Sequence, residues 1–588
     1  MLGSHRKFAL LLALILSSSA LVSMALASAR TNPGRTEGSV DQIGAPRPLP
    51  ANSSGTASAS PAGPDVPRME QVIQSSVSDQ QFMGSVLVAR GNEIILDKGY
   101  GFANLEWNIP NSPSTKFRLG SITKQFTAAS ILLLEQRGKL SVSDAVKKFM
   151  PDAPAAWDKV TIFNLLTHTS GIPSFTSFPD YATIEPFTTT PTQLVKLFRD
   201  KPLDFPPGEK WSYSNSGYVL LGYLIEKISG ESYEKFEQDN IFTPLGMKDS
   251  GYDSNSSIIA QRAAGYSPGQ NGPVNAGFIN MTVPLSAGGL YSTTDDLLLW
   301  EQGLFGGKLL SPTSLQKMTK PFMSDYACGL MVHTVNGRQV IEHGGGIEGF
   351  TTMLAYYPED KLTVVVLSNF NGPAPSDIAS KLAALAHGEK VVLLSERKEV
   401  PVDSKLLDGY VGNYELAPKF ILIVTREGDR LVTQATGQPK VPIFAESDGE
   451  FFAKVVDAQI TFVPGAQGRA SELILHQGGR DMHAKRFEGE VPQPKEHKEI
   501  TIDPKLFDGY VGQYQLAPNF ILTITREGDA LFAQATGQPK AQIFPKGVRE
   551  YFYKIVDAQI IFVTDSAGRA ISLTLHQNGA DIPAKRVQ

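Results

Sequence analysis

The sequence predicts an α+β domain built on an antiparallel sheet with helices, followed by two small antiparallel β-barrels. Three observations carry this reading. Strand-like runs stand at both ends of residues 67–395, with mostly helical sequence between them. The last part of the chain repeats itself at a constant offset of 100 residues, Asp408 matching Asp508. Within each copy, short β-rich runs are parted by turn residues.

The elements follow in chain order. Gly84–Ala89 and Glu93–Leu96 are β-rich and are separated by Arg90-Gly-Asn92, which reads as a hairpin. Ser121 to Arg137 has helical periodicity. Leu362–Leu367 is a buried strand and Pro375–His387 an Ala/Leu-rich closing helix. Early and late strands around a helical middle imply one sheet shared by both ends of the domain. In the repeat, Asp408-Gly-Tyr-Val-Gly-Asn-Tyr414 returns as Asp508-Gly-Tyr-Val-Gly-Gln-Tyr514, and Gln434–Lys440 returns unchanged as Gln534–Lys540. The copies, 402–488 and 502–588, are domain-sized rather than solenoid units, and seven or eight runs in each suggest a small barrel.

Composition narrows the function classes. A chain of 588 residues with net charge −5 and pI about 6.1 has no basic excess to neutralise phosphates, which excludes a general nucleic-acid partner. His5, Arg6 and Lys7, the apolar run Phe8–Leu16 and Ala25-Leu-Ala27 read as a signal peptide over 1–27, so the expected location is periplasmic or secreted, in a bacterium. Residues 28–66, rich in Ser, Ala, Pro and Gly, read as a disordered linker. No other stretch is long and apolar enough to span a bilayer, so no stable span is expected after cleavage. The single cysteine, Cys328, excludes an intramolecular disulfide and reads as a packing residue. No His-Glu-x-x-His occurs, and neither a metal nor a cofactor is expected.

Three short motifs carry chemistry. Ser121-Ile-Thr-Lys124 opens a helix, where i and i+3 share a face, so a hydroxyl and an amine can meet. Serine needs a base to become nucleophilic, and lysine can be that base if burial lowers its pKa. The same Ser-x-x-Lys spacing occurs at Ser4, Ser232, Ser314 and Ser395, so the motif is weak alone. Tyr213-Ser-Asn215 adds a phenol for the proton relay and an amide for a substrate carbonyl. His343-Gly344-Gly345-Gly346 adds a glycine-rich strand against which a substrate backbone can lie, with the Gly346 N–H as an oxyanion donor beside that of Ser121. His476-Gln-Gly478 mimics this motif, but the second copy has His576-Gln-Asn578.

In this order and spacing the three motifs resemble the serine β-lactamase and penicillin-binding protein superfamily, in its class C β-lactamase, D-aminopeptidase and related esterase form. Leu165-Leu-Thr-His-Thr-Ser-Gly-Ile-Pro173, Pro244-Leu-Gly-Met247 and Ser286-Ala-Gly-Gly-Leu290 strengthen the likeness, which covers about residues 67–390. The repeats look like the lipocalin-like domain often appended to such proteins. The resemblance implies a β-lactamase/DD-peptidase-like fold and a serine hydrolase working through an acyl-enzyme. In that reading Ser121 is acylated, Lys124 and Tyr213 move protons, and Asn215, His343, Gly344, Gly345 and Gly346 meet a small-molecule, peptide or ester substrate. His168 belongs to a family phrase but to no catalytic motif. His343 and Gly344 stand where β-lactamases carry Lys and a hydroxyl residue. This counts against penicillin hydrolysis and favours a peptidase or amidase on small D-amino-acid peptides or amides, or an esterase. The alternatives are a β-lactamase and a non-catalytic ligand-binding or sensing protein. An unshifted histidine changes charge near pH 6.5, so His343 is expected to favour carboxylate-bearing substrates at lower pH. The sequence leaves the oligomeric state open.

Overall fold

The computed structural model describes residues 64–587 apart from 179, 270–271, 418–419, 437, 439, 478–479, 490–497, 518–519, 536–539, 555–557 and 578–579. The expected signal peptide, nearly all of the following linker and most of the linker between the repeats (Val491 to Lys498) lie outside the described residues.

The first unit starts with helix α1 (Val66–Ser78), followed by strands β1 (Gly84–Arg90) and β2 (Glu93–Tyr100). Gly91 takes φ +59° in the turn between the strands, a backbone conformation that suits glycine. Helix α2 (Thr123–Gln136) and helix α3 (Asn215–Ser229) lie at the centre of the helical middle. Strands β3 (Met331–Val335), β4 (Arg338–Ile347), β5 (Phe350–Tyr357) and β6 (Leu362–Ser368) then lead to helix α4 (Ala374–Ala386).

The strands form one six-stranded antiparallel sheet in the order β3-β4-β5-β6-β1-β2. Gly84 pairs with Ser368 on one side and Tyr100 on the other, so the two ends of the unit do share the sheet. Alternation along β1 divides its side chains between two cores. Leu87 and Ala89 face the helical middle with Phe126, Trp300 and Tyr218. Val86 and Val88 face α1 and α4, with Met69, Ile73, Ile378 and Leu382. The sheet is therefore covered on both faces, which explains why β6 is buried along its whole length.

Each repeat closes into an eight-stranded antiparallel barrel, the first running from Gly412 to Phe487 and the second from Gly512 to Arg586. The two barrels reuse the same local contacts. Tyr414 Oη donates to Tyr410 O at 2.8 Å, and Tyr514 Oη to Tyr510 O at 2.7 Å. Val400 N donates to Ala445 O, and Ile500 N to Pro545 O, both at 2.9 Å. The first barrel also meets α4, where Lys381 joins Asp377 of its own helix and Asp457 of the barrel. Among the described residues no helix is long and apolar enough to cross a membrane.

Candidate active site

The site begins with a backbone constraint. Gly120 adopts φ +55°, and a Cβ there would lie 2.8 Å from Gly346 N, so the turn before Ser121 admits only glycine without displacement. Gly345 is tighter still, since a Cβ on it would fall 1.9 Å from Leu119 O. Strand β4 is thus pressed against the Ser121 turn, and Thr352 Oγ1 fastens the same carbonyl at 2.8 Å. Gly346 differs, because a Cβ on it would meet nothing and it is exposed.

Ser121 sits in a short 3₁₀ turn (Gly120–Ile122) that leads into α2. From Leu119 to Leu134 it is the one residue not buried. A single hydroxyl therefore surfaces from a helix that is otherwise enclosed all round. Its N–H belongs to the helix N-terminus, where such groups lack intrahelical acceptors.

Lys124, one turn on, is fully buried. Its Nζ lies 3.0 Å from Ser121 Oγ, 2.9 Å from Asn215 Oδ1 and 2.7 Å from Ala287 O. Burial holds its pKa well below the usual lysine value, and none of these three partners is a carboxylate. A neutral amine has two protons and one lone pair. Asn215 Oδ1 and Ala287 O can only accept, so they take the two protons and leave the lone pair facing Ser121 Oγ.

The other motifs converge here. Ser214 caps α3, which puts Tyr213 just before the helix and Asn215 at its first position. The Tyr213 ring centroid is 4.8 Å from Lys124 Nζ. Burial of the Tyr213 hydroxyl raises its pKa, while a hydrogen bond with Ser121 works in the other direction. Asn215 Nδ2 donates to Thr176 Oγ1 at 3.0 Å, so both ends of this amide are engaged within the protein.

His343 departs from expectation. It is 7% exposed, with Nδ1 2.6 Å from Gly344 O and Nε2 3.0 Å from Tyr326 Oη. A carbonyl only accepts, so Nδ1 carries the proton and Tyr326 donates to Nε2. Burial, with a contribution from Lys124, pushes its pKa down to about 4. The expected switch near pH 6.5 is therefore corrected: His343 stays neutral through the ordinary range because its charged form would be desolvated.

His168 is the residue the motifs undervalued. Its carbonyl accepts from Ser212 N at 2.9 Å and its Nδ1 from Ser214 N at 3.1 Å, so it holds the backbone on both sides of Tyr213. Its ring lies 4.2 Å from that of Tyr213 and 4.6 Å from that of Tyr326. It does this at φ +57°, an uncommon conformation for a residue with a side chain. Its place inside Leu165–Pro173 was the only trace of this in the sequence. Ala287 was likewise visible only as part of Ser286–Leu290.

A carboxyl pair lies beyond the oxyanion strand. Glu348, two residues past Gly346, hydrogen-bonds Glu185, whose pKa burial and this neighbour push up to about 9. Glu185 follows the segment whose Thr176 meets Asn215, so the pair joins the Asn215 side of the site to the Gly346 side.

The decoy motifs separate from this site. Ser232 caps a helix by accepting from Lys235 N, and Lys317, three residues after Ser314, binds Glu135. His476 lies on the first barrel and pairs with Asp481. Cys328 is buried, and desolvation pushes its thiol up to about 12, as suits a packing residue. Among the described residues no cluster of three or more His, Cys, Asp or Glu could hold a metal.

A family model described as Beta-lactamase matches residues 69–389, more than half of the chain. The chain belongs to this family. A model described as a domain of unknown function (DUF3471) matches 396–488 and 496–586. Penicillin-binding protein 4* of Bacillus subtilis is 29% identical over 71% of this chain and 98% of its own length. The putative penicillin-binding protein PbpX of the same organism is 31% identical over 52% of this chain and 75% of its own. Among solved structures, the octameric penicillin-binding protein homologue from Pyrococcus abyssi is 28% identical with a TM-score of 0.52, covering 72% of this chain and all of that one. As a β-lactamase family member the chain is a serine hydrolase by kinship.

Proposed function

We propose that this protein is an exported serine hydrolase that forms an acyl-enzyme on Ser121 and acts on uncharged carbonyl groups of small peptides or amides containing D-amino acids. The observation that carries the proposal is a fully buried Lys124 whose Nζ lies 3.0 Å from Ser121 Oγ while its other two partners, Asn215 Oδ1 and Ala287 O, can only accept. Lys124 takes the hydroxyl proton as Oγ attacks the carbonyl carbon. The carbonyl oxygen becomes an oxyanion that accepts from the N–H groups of Ser121 and Gly346. Tyr213 and Lys124 return the proton to the leaving nitrogen or oxygen as its bond to carbon breaks. Water, deprotonated by the same relay, then releases the acid and restores Ser121. His168 acts through Tyr213, by holding Ser212 and Ser214.

Two features support the substrate class. A neutral His343 offers no cation to a carboxylate, which favours amides and esters over penicillins and free C-terminal peptides. The Glu185–Glu348 carboxyl pair, beginning two residues past Gly346, offers acceptors to a bound ammonium group, which favours an amide carrying a free amine over a simple ester. Export rests on the signal-peptide pattern of the first 27 residues, which supports a periplasmic or extracellular location.

The test is covalent trapping with a fluorescent phosphonate and peptide mapping, followed by turnover of D-aminoacyl anilides, p-nitrophenyl esters and nitrocefin. Label on Ser121 with the D-aminoacyl anilides turned over fastest is expected. No label would favour a non-catalytic binding role, and nitrocefin as the best substrate would restore the β-lactamase reading.

A further inference from the structure

The two barrels match in backbone and differ inside. The first holds a cavity of about 40 Å³. At roughly 10–15 Å³ for one water, it has room for a molecule of a few non-hydrogen atoms. Apart from Thr433, Gln438 and Gln477 its lining is apolar, and no charged side chain is part of it. Nε2 of Gln438, a residue 2% exposed, and Oε1 of Gln477 are both buried without a hydrogen-bond partner. A buried donor and a buried acceptor left unmade both oppose folding, so such a pair calls for an occupant.

The second barrel handles the same space differently. Ala453, which lines the cavity, pairs with Ile443, and the matching pair is Tyr553 with Ile543. Tyr553 packs against the core of the second barrel. Around it, Thr433 and Val441 are replaced by Ala533 and Ala541. Two contractions beside one expansion fit an aromatic ring into the lumen at similar total volume. At the position where the first barrel has Ala453 beside its cavity, the second carries a Tyr553 that packs against its core.

We infer that the first barrel alone is a binding site, and that its ligand is a small uncharged carboxamide bearing a short aliphatic group. The ligand carbonyl accepts from Gln438 Nε2 and the ligand N–H donates to Gln477 Oε1, while the aliphatic part takes the place of water against the apolar wall. A carboxylate is disfavoured, because the lining holds no cation to pair with it and offers it a second acceptor.

The test uses the full chain and propionamide, followed by ligand-observed NMR, with propionate at neutral pH as the control. One saturable site for propionamide, no competition by propionate and at least a tenfold loss of affinity in Ala453→Tyr are expected. Gln438→Leu, which keeps the side-chain bulk and removes the donor, should lose affinity to a similar degree. It carries the test if thermal melting shows that Ala453→Tyr unfolds the barrel. Absence of saturable binding would mean that water occupies the cavity. Binding that is unchanged in both variants would place the amide elsewhere on the protein. Either result overturns the inference.

Discussion

Between Met69 and Ala386 the protein buries Lys124, His168, Glu185, Glu237, Asp253, Asp296, Glu301 and His343. Between Leu407 and Ala584, the polar side chains buried among the described residues are Thr433 and Gln438. Burying an ionisable group opposes folding unless the group is paired or neutral, and several of these have taken the second course. Lys124, His168 and His343 lie below their ordinary pKa values, while Glu237 and Glu301 are pushed up to about 8. One region accepts the cost of desolvation and obtains tuned proton donors and acceptors. The barrels avoid it, and their interiors read as packing problems.

Breaking the tuned region should therefore have the largest effects. Ser121→Ala is expected to lower kcat by on the order of 10⁵ with the fold intact. A variant retaining a tenth of wild-type turnover would remove Ser121 from the chemistry. Tyr213→Phe deletes one hydroxyl from the relay and should slow kcat by about 10²–10⁴ with little change in KM. An unchanged kcat would transfer the relay to Lys124 alone.

His168→Ala releases the backbone on both sides of Tyr213 and should cost about 10–10² in kcat, since small displacements of catalytic groups are expensive. His168→Asn, which can accept from Ser214 N and tolerates the left-handed backbone, should recover much of the loss. In a Tyr213→Phe background the alanine change should cost little more. Full additivity there would mean that His168 does not act through Tyr213.

The comparison also predicts a pH signature. Glu185, Glu237 and Glu301 bind protons more tightly folded than unfolded, so their stabilising contribution is complete below about pH 4.5 and is lost as pH rises to about 8–9. The catalytic domain should melt earlier at about pH 9 than at about pH 6, and the barrels should not follow it. Glu185→Gln should flatten part of that slope, which differential scanning calorimetry can read. A slope the same in wild type and variant would mean that Glu185 is ionised at neutral pH.

The smallest effect is expected from truncation. A chain ending near Lys398 loses two ion pairs, the partly exposed Lys381–Asp457, of a kind worth about 0–1 kcal/mol, and the more buried Arg397–Glu446, whose arginine becomes a solvent-exposed chain end. It should still hydrolyse a small ester. Its preference between that ester and a peptide of three or more residues tests whether the barrels narrow the entrance. Equal ratios with and without the barrels would assign them another task.

The sequence made the architecture legible where periodicity and repetition are local. The β1–β2 hairpin, β6, α4 and the eight runs per repeat follow from side-chain alternation and turn residues, and the converging motifs followed from family likeness. What escaped depended on contacts distant in sequence. Neutrality of His343 needs enclosure by the fold, which no spacing rule contains. The role of His168 needs Ser212 and Ser214 to arrive beside it. Lys124 stood out from the lysines of the other Ser-x-x-Lys runs only through its company, and the physical difference is full burial: Lys235 and Lys317 reach Asp239 and Glu135 from partly exposed positions, and Lys398 is exposed.

The pairing of Gly84 with Ser368 also has a consequence for how the protein is made. The hairpin that starts the sheet emerges from the ribosome long before its neighbour. At roughly 5–20 residues per second, it waits on the order of tens of seconds with one edge uncovered. During that interval the nascent chain has no finished sheet, and β1, among the most apolar stretches of the domain, depends on chaperones or on delayed folding to stay unaggregated. Each barrel, by contrast, closes on strands from a single short stretch and needs no partner from far along the chain.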